Sequence, residues 1–194
     1  MPLLTETPPK GIEKVLNATV SELVGHGAIA LGTRSRAEVS MPIRVHNLGA
    51  DAIAAGKGLG AAQPTGWLST LTTDGEVRGT IELVPLKPAR KGAAAPDGVR
   101  FGGFTTGPLQ RALVRTIEAA TKSTASSKVQ IAVLRVPALY LLALWLHDEG
   151  GDRLVPVPPS PAPLKAGESY PAERALASLA EAAKAVLQGD EARS

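Results

Sequence analysis

Two β-favouring runs, residues 67–72 and 77–83, stand on either side of the pair Asp74-Gly75. Asp-Gly accepts the positive φ angles that a two-residue hairpin turn demands, and such a turn matches the natural twist of the strands it joins. In the second run Val77, Gly79, Ile81 and Leu83 fall on one face and Arg78, Thr80 and Glu82 on the other. The hairpin therefore has one apolar face to bury. An isolated hairpin is marginal in water, so the rest of the chain must extend the sheet and cover it.

The remaining periodicities supply that cover. Ile12, Val15, Leu16, Val20, Leu23 and Val24 repeat at helical spacing and end at Gly25, which predicts an amphipathic helix over 12–24. Pro108 and the stripe Leu109, Ala112, Leu113, Ile117 and Ala120 predict a second over 108–121. A third is expected over 172–187, with Leu176, Leu179, Ala180, Ala183 and Leu187 inward. Strands are expected at 28–31, 39–45, 99–104, 129–136, 138–146 and 154–157, with a short helical turn at 50–55. Pro42 cannot donate to a β-ladder, so the 39–45 strand is expected at an edge or at a bulge. Residues 85–98 read as a basic loop and 123–127 as the break after the second helix. The connections are too short for a run of βαβ crossovers. The expected fold is α+β: a single domain with a mostly antiparallel sheet of about six or seven strands and three amphipathic helices. Residues 1–10 read as a flexible tail, 11–155 as the domain and 156–170 as a connector holding five Pro between 156 and 163. Residues 171–189 then form a helix that docks on the domain or on a partner.

Composition removes whole chemistries. With no Cys there is no disulfide, thiolate nucleophile, Cys-ligated zinc or iron–sulfur cluster. Only three His are present and none stands in H-E-x-x-H. The longest apolar run, 136–146, has eleven residues, against the roughly 20 that a spanning helix needs. The first residues show no cationic and apolar leader, so a soluble, cytoplasmic chain is expected. Its Ala, Gly, Pro and Arg bias is that of high-GC bacterial genes. The net charge of +3 divides into −1 over 1–33, +7 over 34–135 and −3 over 136–194. That division fits an anionic partner or two mutually attracting parts of one molecule.

The motifs are sparse. Gly56-Lys57-Gly58-Leu59-Gly60-Ala61 matches G-x-G-x-x-[GA] in letters, but poor strand formers precede it and Gln63-Pro64-Thr65-Gly66 follows where a helix would be needed. Gly102-Gly103-Phe104-Thr105-Thr106-Gly107-Pro108 leads straight into a helix, so Gly103, Thr105 and Thr106, with Arg111 and Arg115 one and two turns on, are candidates for an anion site. The competing reading is a helix cap at Thr106 or Gly107. His147, Asp148, Glu149 and Asp152 gather acidic and imidazole groups, but on a hairpin tip they point different ways, so a solvated loop is preferred and no metal is assigned. Nucleic-acid binding through the basic 34–135 segment would need aromatic platforms, and only Trp67, Phe101 and Phe104 offer them. Leu139, Tyr140, Leu142, Leu144 and Trp145 form a very apolar stretch beside the Pro-rich connector, a candidate interaction surface unless the terminal helix folds back over it.

The leading expectation is a non-catalytic binding or assembly module acting through a protein partner or self-association, with no cofactor and no membrane span. A small enzyme or ligand-binding protein using the anion site is the alternative, and nucleic-acid binding the third reading. No catalytic residue is assigned.

Overall fold

The computed structural model describes residues 4–29, 36–86, 98–123 and 128–191. Residues 87–97 of the basic loop, 30 and 31 of the 28–31 strand, and 124–127 of the break after the second helix lie outside the described residues.

The hairpin organises the molecule. Asp74 (φ 52°) and Gly75 (φ 76°) both take the left-handed conformation and join β3 (Gln63–Thr73) to β4 (Glu76–Pro85). Seven further strands complete one sheet: β1 (Ala37–Val39), β2 (Ile43–Asn47), β5 (Val99–Thr105), β6 (Gln130–Val136), β7 (Leu141–Asp148), β8 (Gly151–Pro156) and β9 (Tyr170–Pro171). The order is β5-β4-β3-β2-β6-β7-β8-β9, with β1 also paired to β3. Every pair of named strands is antiparallel except β2 with β6. The class is therefore α+β, with nine strands among the described residues in place of the six or seven expected.

The 39–45 strand is in fact two. β1 and β2 both pair with β3, and the chain breaks between them at Ser40–Pro42, so Pro42 lies in the gap rather than on a ladder. Ser40 bridges that gap by donating its N–H to the Thr70 carbonyl (2.9 Å), while its Oγ accepts the Thr70 N–H (2.8 Å). β2 is consequently interior to the sheet and not an edge.

Helices cover the two faces unequally. On one face lie α1 (Ile12–Gly25), over β3 and β4, and a cluster of α2 (Ala50–Ala54), α4 (Ala172–Ser178) and α5 (Ala180–Glu191) over β6, β7 and β8. Among the described residues only α3 (Pro108–Ser123) and residues 157–159 sit on the other, with Leu113 and Ala120 packed on Ile43, Val45, Leu68, Val133 and Leu144. The single C-terminal helix expected is thus two, broken at Leu179, which is itself buried and whose N–H bonds to the Leu176 carbonyl (3.1 Å). No Gly or Pro marks that break; Leu179 is needed in the core where the two helices meet.

The Pro-rich connector is folded onto the domain. Val157 and Leu164 are buried, the Val157 N–H bonds to the Leu142 carbonyl (2.8 Å), and the Gly167 N–H reaches back to the Pro156 carbonyl (2.8 Å). Near the N-terminus, Leu4 exchanges backbone hydrogen bonds with Val129 and Ile131 (2.8 Å each), which lays this part of the expected tail beside β6.

Candidate functional site

The apolar stretch 139–146 is dealt out to both faces of the sheet, because successive residues of a strand point to opposite sides. Leu142 and Leu144 face α3, while Leu139 and Trp145 face the α2–α4–α5 cluster. Leu139 and Leu144 are buried in the chain's own core, Leu142 and Trp145 are half-buried, and Tyr140 alone is open, at 90% exposure. The terminal helices do fold back over one side of this strand, which leaves Tyr140 and the α3 side as what remains of the candidate interaction surface.

Tyr140 closes a 3-10 turn, Pro137–Leu139, between β6 and β7, with its N–H bonded to the Pro137 carbonyl (3.1 Å). Its backbone is left-handed, φ 53° and ψ 29°. That conformation costs a non-glycine residue about 1–2 kcal/mol. The side chain stands over a groove of about 570 Å³ between β4, α3 and the connector, whose walls include Thr80, Leu109, Gln110, Leu142 and Pro159. In the groove lie Arg135 and Glu82, which form a two-pronged ion pair (Nη1–Oε1 2.9 Å, Nη2–Oε2 3.1 Å) reaching from β6 to β4 across the strands between them. Both side chains are 29% exposed, so a guest in the groove would meet a neutralised, geometrically fixed polar pair.

The residues proposed for an anion site do not converge. Gly103 and Thr105 belong to β5, paired with Glu82 and Thr80. The Gly107 carbonyl accepts the Arg111 N–H (3.3 Å), which makes Gly107 the start of α3, and among the described residues no hydrogen bond from the Thr106 side chain accompanies it. Arg111 and Arg115 are exposed on α3, and Arg115 lines a different cavity, with Arg153. Together with Lys122 they give α3 an outward basic ridge opposed only by Glu118, and among the described residues none of the four has an ion-pair partner. Of the aromatics considered as nucleic-acid platforms, Trp67 is 2% exposed beneath the Arg44 guanidinium (4.8 Å from its ring) and cannot stack on a base. The glycines at 56–60 join α2 to a 3-10 turn, Leu59–Ala61, and then to β3, with no helix to receive a pyrophosphate.

A second group went unrecognised as a unit. On the four-helix face a cleft of about 270 Å³ is lined by Glu6, His46, Ala132, Trp145, His147 and Asp152, among others. The parallel pairing of β2 with β6 and the β6–β7–β8 ladder bring these residues together. Asp152 Oδ1 accepts both the Trp145 Nε1–H (2.7 Å) and the His147 Nδ1–H (2.9 Å), so one carboxylate fixes two rings. A carboxylate can only accept, which assigns the proton to Nδ1 of His147. His46 meets Trp145 edge-on at 5.1 Å, and its Nδ1 is buried with no hydrogen-bond partner among the described residues. Burial holds the His46 pKa below the ordinary histidine value, with Glu6 opposing and Arg44 reinforcing the shift. Asp148 points to the other side and pairs with Arg153, whereas His147 and Asp152, expected to point apart on a loop, face each other across the β7–β8 ladder. Among the described residues no group of three or more His, Asp or Glu is placed to hold a metal ion. The sequence signal for this cleft was the pair of histidines closing strands, too weak alone because their adjacency depends on a non-local parallel pairing.

Among the described residues no helix is long and apolar enough to cross a membrane. No family model, curated protein or solved structure matches this chain, so the geometry alone carries the functional argument.

Proposed function

We propose that this protein is a non-catalytic binding module that takes an acidic, amphipathic segment of a protein partner on the one-helix face of its sheet. The observation that carries the reading is Tyr140: a large aromatic held in a strained left-handed backbone, yet with almost no contact inside its own chain. Strain that the fold does not use is a mark of function. Tyrosine is also among the side chains that contribute most at protein interfaces, since it offers a large area at little entropic cost.

Two further features support the choice of partner. Leu109 on α3 (38% exposed) and Met41 beside it (70% exposed) join Tyr140 here, so three of the five exposed large apolar side chains among the described residues lie on this face. The ridge sets three cations, Arg111, Arg115 and Lys122, against the single acid Glu118, and among the described residues none of them is ion-paired, which favours an acidic segment over a neutral one.

A displayed random-peptide library selected on the intact protein tests this. Enriched peptides should combine Asp or Glu with Leu, Phe or Met, and their Kd should weaken at least about tenfold in Arg111→Glu/Arg115→Glu, a loss of about 1.4 kcal/mol. Enrichment of basic peptides, or binding indifferent to that charge reversal, contradicts the reading. Tight, salt-dependent binding of DNA or RNA in place of peptide would move the function to nucleic acid.

A further inference from the structure

On the opposite face, we infer that the cleft between Glu6, Trp145 and Asp152 binds a small organic cation, a protonated amine. Two carboxylates from distant parts of the chain line it, and no Lys or Arg does. One wall is the Trp145 indole, locked in place by Asp152, and an aromatic face beside carboxylates attracts a cation and its hydrocarbon body together. Ala132, the small residue opposite Trp145 on the neighbouring strand, leaves the depth that a larger side chain would fill.

The acceptors match an ammonium group, which brings three donors and no acceptor. Asp152 uses only Oδ1 for Trp145 and His147, so Oδ2 remains available. Glu6 is held loosely, its nearest cation being the Arg44 Nε at 3.6 Å, longer than a charge-assisted hydrogen bond, while that guanidinium lies over Trp67. His46 completes the lining as a half-buried ring set edge-on to Trp145. At about 270 Å³ the cleft lies at the small end of ligand sites, so the guest is an amine of modest size rather than a cofactor.

The experiment titrates the intact protein with phenethylamine and with its neutral counterpart 2-phenylethanol, by calorimetry and by the two-dimensional amide and indole NMR spectrum. Phenethylammonium should saturate with Kd near or below about 1 mM, shift the Trp145 indole N–H, and bind at least about tenfold tighter than the alcohol. Glu6→Gln, on an exposed segment, and Asp152→Asn, which can still accept from Trp145 and His147, should each weaken the amine about fivefold or more without altering affinity for the alcohol. Equal binding of amine and alcohol overturns the inference. So does an absence of saturation up to about 10 mM amine, or an affinity untouched by both substitutions in proteins whose spectra remain folded.

Discussion

A chain ending at Pro171 is expected to lose cooperative folding altogether. Removing α4 and α5 strips Leu176 and Leu179 from the core and exposes Leu134, Val136, Leu141 and Leu154, all now 4% exposed or less. Each large aliphatic side chain contributes about 1.5–3 kcal/mol on full burial, so these six together carry about 9–18 kcal/mol. Native domains have only about 5–15 kcal/mol of net stability. Thermal and urea unfolding followed by circular dichroism should therefore show no sigmoidal transition in the truncated chain, whereas the intact chain should melt cooperatively. A cooperative melt in the truncated chain would mean that the terminal helices are an appendage, free to dock on something else.

Leu144→Ala should cost about 2–5 kcal/mol, because the substitution leaves a cavity that its neighbours cannot fill. Leu144 is fully buried at the centre of β7, between β6 and β8, with α3 above it. Measured by urea unfolding, the loss should appear as a lower midpoint with an unchanged slope. A loss under about 1 kcal/mol would show that α3 does not seal that part of the sheet and that Leu144, like Tyr140, belongs to an open surface. The contrast matters because the two residues lie in one apolar stretch, Leu144 fully buried and Tyr140 90% exposed.

Much of the fold was legible because its signals are local. Asp74-Gly75 needs only two positive φ angles, and both occur. Helices α1 and α3 announce themselves by a stripe and a terminal Gly or Pro, and they run from Ile12 and from Pro108 as expected. What escaped is non-local. The break between β1 and β2 is imposed by β3, to which both pair, and alternation through Ser40–Pro42 conceals it. The split of the terminal helix at Leu179 answers a packing demand with no residue to signal it. The division of the 139–146 stretch between two faces follows from β7 being an interior strand covered on both sides, and composition alone does not reveal that. The cleft at His46, Trp145 and Asp152 was hidden for the same reason, since the parallel β2–β6 pairing assembles it. By contrast, the anion residues looked adjacent in sequence but are separated by the start of α3, which sends Arg115 toward Arg153 instead.

The central claim is that Tyr140 faces outward for a partner and not for the fold, and the stability of Tyr140→Gly tests it most directly. Glycine adopts φ 53° without the Cβ penalty, and a side chain 90% exposed has little burial to lose. The variant should unfold at equal or higher denaturant, gaining up to about 1 kcal/mol, while losing the acidic peptides selected on the wild type. A variant that is destabilised by more than about 1 kcal/mol, or that binds those peptides unchanged, would contradict the account.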